Sequence, residues 1–122
     1  MNNNSQILGI EGEKIAQKHL IKQGYKILET NWRFKKLEID IICCKELVIV
    51  FVEVKARSSS IFGEPEVFVT PKKQRFLISA ANQYLLENNI ELESRFDVIA
   101  VVWHNNKSLL NQIEGAFYPT VL

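Results

Sequence analysis

Residues 37–55 read LEIDIICCKELVIVFVEVK, and this stretch decides the fold. Its halves, 37–44 and 47–55, are rich in β-branched and aliphatic residues and meet at the polar pair Lys45-Glu46. That pattern predicts two strands joined in a hairpin. The second half is apolar on both faces, as a central strand covered on both sides should be. Charges interrupt the pattern at set places. Side chains alternate along a strand, so Glu38, Asp40 and Ile42 are expected on one face and Ile39, Ile41 and Cys43 on the other. In the second strand Glu53 and Lys55 continue the face of Leu47, Ile49 and Phe51. The hairpin would bring Glu38 and Asp40 beside Glu53, so that acids and one lysine converge at the edge of the apolar sheet. Burying such ions is costly unless they are paired or bound to a metal.

Outward from this hairpin, residues 5–23 carry a helical period in Leu8, Gly12, Ile15, Ala16, His19 and Leu20. Ser5 is expected to cap that helix and Gly24 to stop it. A strand is expected over 25–33, ending at the polar turn Phe34-Lys35-Lys36. Beyond the hairpin, 57–66 reads as a loop with Ser58-Ser59-Ser60 and Gly63 as turn residues. Thr70 then caps a second helix, with Pro71 at its first position, an apolar stripe of Leu77, Ala80, Ala81, Tyr84 and Leu85, and Asn88-Asn89 as its end. A fourth strand over 96–103, a turn at 104–107 and a weaker strand over 113–118 follow. The order is α-β-β-β-α-β with a final strand, which predicts an α/β fold with a mixed central sheet flanked by helices.

Bulk properties agree. A chain of 122 residues suits a single domain, 1–122, and its 47% hydrophobic and 24% charged content can support a core. A formal net charge of +1 lacks the strongly basic footprint of many nucleic-acid binders, although a carboxylate-lined metal site would mask a basic rim in the total. Cys43 and Cys44 are neighbours on opposite strand faces, which disfavours both a zinc pair and a disulfide and fits buried filler in a reducing compartment. No basic stretch followed by an apolar one opens the chain, and the apolar run 47–52 is too short to span a bilayer. A cytoplasmic protein without membrane association is expected.

Carboxylates and a lysine in this arrangement suit phosphodiester hydrolysis. Carboxylates hold Mg²⁺, the ion activates water and neutralises the phosphate, and a lysine stabilises developing charge. The same residues also suit an i,i+2 ion pair at a strand end, and spacing does not choose between the two.

The surrounding residues do more. Leu37-Glu38-Ile39-Asp40, followed by Glu53-Val54-Lys55, resembles the D…(D/E)-x-K signature of the restriction-endonuclease-like superfamily. More closely, the chain resembles the YraN-like family, related in fold to archaeal Holliday-junction resolvases. The matching segments are Gly12-Glu13 with Ala16 and Leu20, Asn31-Trp32-Arg33, Glu38-Ile39-Asp40, Phe51-Val52-Glu53-Val54-Lys55 with Arg57, Phe62-Gly63, Lys73, Ala81 with Tyr84-Leu85, and Arg95-Phe96-Asp97-Val98. Leu37 departs from the glycine usual before Glu38. The resemblance implies a restriction-endonuclease-like fold. It makes Asp40 and Glu53 ligands of Mg²⁺ or Mn²⁺, Lys55 the catalytic lysine, and Glu13 an acid contributed by the first helix. It further implies an endonuclease or Holliday-junction-resolvase-like enzyme acting on DNA, branched DNA included, and a homodimer, since a four-way junction needs two cuts. A reading of another class keeps the fold as a nucleic-acid-binding or partner-binding module without appreciable cleavage. The near-neutral charge favours that reading; the intact acid-acid-lysine set favours the enzyme.

Lys72, Lys73 and Arg75, with Arg57 and Lys35-Lys36, are candidate phosphate contacts. Gln74 is a candidate contact to Lys55 or to phosphate, and Glu38 reads as a solvated or salt-bridged strand-end residue, with an accessory acid or metal ligand as its alternative. Trp32, Phe62 and Trp103 read as packing residues, His19 and His104 as structural, and Asp97 as the partner of Arg95.

Overall fold

These periodicities become two helices and five strands in the computed structural model, which describes residues 3–58 and 69–119. In chain order they are α1 (Asn3–Lys22), β1 (Lys26–Phe34), β2 (Leu37–Lys45), β3 (Val48–Ser58), α2 (Pro71–Glu87), β4 (Glu93–His104) and β5 (Lys107–Phe117). The strands lie side by side in sequence order, so β3 is the central one. All neighbours are antiparallel except β3 and β4, which run parallel. A parallel pair needs a crossover connection, and α2 lies within it.

The helices cover opposite faces. Ala16 and Leu20 of α1 pack on Ile41, Cys43, Val50, Val52, Ile99 and Val101. Leu77, Ala80, Ala81 and Tyr84 of α2 pack on Ile42, Ile49, Phe51, Phe96 and Val98. The expected apolar stripes are therefore the buried ones, and β3 is covered on both sides. Gly24 takes φ 95 just past α1, the left-handed conformation that ends a helix without a Cβ clash. Thr70 caps α2 and accepts the Lys73 N–H at 3.2 Å, with Pro71 opening the helix. Trp32 packs edge-on to Tyr84, and Trp103 joins the α1 layer. Cys43 is buried and Cys44 partly so, both unpaired; burial pushes the Cys43 thiol up to about 12 and keeps it protonated.

Several expectations are corrected. Helix α1 begins at Asn3, so Ser5 lies inside it and is not its cap. Leu47 belongs to the hairpin turn and is 75% exposed, because Glu46 takes φ 57 and the buried face of β3 starts at Ile49. The weak final strand is a full one, pairing with β4 from Phe96↔Phe117 to His104↔Lys107. As an edge strand it is half exposed, and its polar residues Asn111, Gln112 and Glu114 hide the pattern in the sequence. Phe62, Gly63, Ser59 and Ser60 lie outside the described residues. Among the described residues, no helix is long and apolar enough to cross a membrane.

The correction that matters most concerns β2. Ile39 packs with Ile42 against α2, not with Ile41 and Cys43, so the strand turns over at Asp40. Pairing between β2 and β3 ends at Ile41↔Val52. Pairing of β1 with β2 continues to Phe34↔Leu37, and that of β3 with β4 to Ser58↔Trp103. The sheet thus forks, with β1 and β2 as one prong and β3 and β4 as the other. Facing Asp40 across β1 is Asn31, whose φ of 51 bends that prong as well.

Candidate functional site

The fork opens a cleft of about 390 Å³. Leu37, Glu38 and Asp40 line it from β2, Glu53 and Val54 from β3, and Glu13 from α1. Lys73, Phe76 and Leu77 close it from α2, with Lys36 of the β1–β2 turn at its rim. Glu13 reaches the fork because Gly12 lets α1 lie almost on β3. A Cβ at Gly12 would stand 2.6 Å from the Cβ of Ala56.

Asp40 spans the gap in the ladder. Its Oδ2 accepts the Val54 N–H at 2.7 Å, doing for β3 what a strand carbonyl would otherwise do. Burial, then the charge of Glu53, push the Asp40 carboxyl from 3.8 up to about 8; Glu13 and Glu38 add to the rise and the Val54 N–H opposes it. Glu13 is raised as well, by burial first and by the Glu38 and Glu53 charges, against a hydrogen bond from Asn31. The Glu53 side chain is 12% exposed and lies 3.1 Å from Nζ of Lys73. Glu38 is held by Arg33 at 3.4 Å.

Four carboxylates therefore face two lysines, Lys36 and Lys73, within one cleft. Arg33 pairs with Glu38 and Lys73 with Glu53, and Asp40 keeps its proton to about pH 8, so Asp40 and Glu53 are the acids that could hold a divalent cation. No three acidic, histidine or cysteine side chains among the described residues form a preassembled metal cage.

A model of the group described as "Uncharacterised protein family UPF0102" matches residues 12–101, which contain every residue of this cleft. The chain belongs to UPF0102. It is 50% identical over 111 residues to the UPF0102 protein of Flavobacterium psychrophilum, covering 91% of this chain and 93% of that one. The match to the UPF0102 protein of Natranaerobius thermophilus is 48% over 121 residues, covering 96% and 100%. That of Syntrophomonas wolfei is 45% identical over 111 residues, covering 90% and 96%.

In this UPF0102 chain Asp40, Glu53, Glu13 and Glu38 share the cleft, and Lys73 joins them. Lys55 lies two positions beyond Glu53 on β3, part-buried and opposite Ala100 of β4, and is not among the residues lining the cleft. The Gln74 amide nitrogen donates to the Val69 carbonyl at 2.8 Å and so helps anchor the start of α2. Lys72 lies over the Phe76 ring at 5.8 Å, and Lys35 over Phe34 at 5.2 Å. Arg57 is exposed at the end of β3, and Arg75 on α2. Asp97 pairs with Arg95 as expected. His19 meets Gln112 at 2.9 Å, a structural role.

Two contributors escaped the strand pattern. Asn31 acts through its backbone bend and its bond to Glu13, and its sequence signal is an asparagine inside a strand, the residue type that tolerates positive φ. Lys73, by its sequence an outer phosphate contact, pairs with the central acid instead. Its signal was legible: a lysine three residues after a Thr cap, where a capping box carries Glu or Gln.

Proposed function

We propose that this protein is a metal-dependent endonuclease of the restriction-endonuclease-like superfamily, hydrolysing phosphodiesters of DNA. The observation that carries this reading is the meeting of Asp40, Glu53 and Glu13, from three separate elements, in the fork of the sheet. Packing does not require such a gathering, and a cation held by Asp40 and Glu53 would relieve the repulsion between them. Asp40 and Glu53 would hold Mg²⁺ or Mn²⁺, with Glu13 beside them. An ion there supplies charge neutralisation at the phosphate and a more acidic water. Lys55, two residues beyond Glu53 on β3, would be the donor for the oxygens that gain charge as water attacks phosphorus and the bridging P–O bond breaks. Lys72 and Arg75 at the start of α2, with Lys35 and Lys36 across the cleft, supply backbone phosphate contacts. Branched DNA and action as a homodimer belong to the same proposal.

A cleavage screen with branched and linear DNA, in Mg²⁺ or Mn²⁺, tests it. Asp40→Asn and Lys55→Ala should each lower turnover by about 10²–10⁴-fold with the fold retained. Unchanged turnover in either variant would place the chemistry elsewhere. Binding of DNA with no cleavage under any metal would support the binding-module reading instead.

A further inference from the structure

Lys73 stands where the start of a helix ordinarily carries the opposite charge. Counting from the Thr70 cap, it is the third helical residue, and no acid occupies the first turn of α2. Lys72, Lys73 and Arg75 gather at the end of the helix dipole that repels cations. Of the three, Lys73 is the one that lines the cleft. Its partner Glu53 is 12% exposed whereas Lys73 itself is 51% exposed, so the ammonium covers the carboxylate from the solvent side. A stem that exposed can swing outward at little packing cost.

Building on the metal-site reading above, we propose that Lys73 is a displaceable counter-ion of Glu53, exchanged for the divalent cation and thereby released to a phosphate oxygen of the bound DNA. A monovalent ammonium and a divalent ion compete for one carboxylate, and the ammonium that leaves stays at the mouth of the cleft. There it joins the dipole of α2 and Lys72, a setting that attracts an anion. Lys73 is thus a positioning residue that links two binding events. Cation uptake raises affinity for DNA, and DNA raises affinity for the cation by the same factor.

The test titrates Mn²⁺ into the full chain by calorimetry, comparing the parent with Lys73→Met and Lys73→Arg after circular dichroism confirms that each is folded. Binding of a phosphorothioate DNA duplex is then measured by anisotropy with and without Mn²⁺. Lys73→Met should bind Mn²⁺ about 1.4- to fivefold more tightly than the parent, the range expected for removal of a part-exposed ion pair. Lys73→Arg should stay near the parent. The gain in DNA affinity on adding Mn²⁺ should shrink in Lys73→Met. Equal or weaker Mn²⁺ affinity in Lys73→Met would overturn the exchange while leaving the metal site standing. Absence of Mn²⁺ uptake by parent and variants alike would overturn the metal site itself, and the exchange with it.

Discussion

Two aspartates lie within the sheet, and their surroundings are opposites. Asp97, on β4, is fully buried and completely supplied with donors. Arg95 grips it twice at 2.9 Å, Gln112 donates at 2.9 Å and the Gly115 N–H at 3.0 Å. Arg95 is itself anchored on the Tyr25 hydroxyl at 2.7 Å. The network bridges the bulge where β4 and β5 slip register between Phe96 and Val98. Asp40, on β2, has the Val54 N–H and is otherwise surrounded by the charges of Glu53, Glu13 and Glu38. An acid buried for architecture is neutralised by its own chain. An acid buried among other acids is left for a charge from outside.

The sharpest way to break this contrast is to neutralise each acid in turn. Asp97→Asn should cost about 3–5 kcal/mol in a urea melt, because the largely buried Arg95 loses its charge partner at 2.9 Å and keeps only the exposed Glu114 at 3.7 Å. Asp40→Asn in the metal-free protein should be as stable as the parent or more so near neutral pH, since it removes repulsion. Equal losses at the two sites would make Asp40 a structural acid like Asp97.

Acidity should separate the two next. Asp40 is raised from 3.8 to about 8, so the folded protein binds its proton more tightly than the unfolded chain does. The stability owed to that proton is complete below about pH 4 and is lost as pH rises toward 8. Metal-free melts should therefore show a fall over this window that Asp40→Asn flattens. A parent with no such fall would leave the crowding of acids at the fork without consequence.

Metal should reverse that loss. A cation bound only by the folded state adds about 2.7 kcal/mol when present at one hundred times its dissociation constant. Mg²⁺ or Mn²⁺ should accordingly raise the melting temperature of the parent and of a Glu38→Gln variant, but hardly that of Asp40→Asn. The smallest effect is expected at Gly12, where Ala would force its Cβ against Ala56. Gly12→Ala should cost about 1–3 kcal/mol as α1 lifts from β3. It should also weaken Mn²⁺ binding, as Glu13 withdraws from the cleft. Stability lost without any change in metal affinity would remove Glu13 from the site.

The linear pattern of residues was sufficient for much of this. Alternation and length over 37–55 define the hairpin and the central strand, because β-branched side chains suit a pleated, covered surface. The stripes Gly12, Ala16, Leu20 and Leu77, Ala81, Tyr84 choose the faces of both helices, since burial follows helical period. Asp40 and Glu53 are legible as candidates because charge interrupting apolar strands is costly, whereas Glu13 is a candidate only through the family resemblance. What folding added is where those acids go. Strict alternation puts Ile39 beside Ile41, whereas the strand turns over at Asp40, and a bend of that kind depends on Asn31 across the sheet. The fork, the bridge from Asp40 to Val54 and the reach of Lys73 to Glu53 join residues 13 to 73 across four elements. Local propensity acts over a few neighbours along the chain, while repulsion between carboxylates arises only once distant segments are packed together.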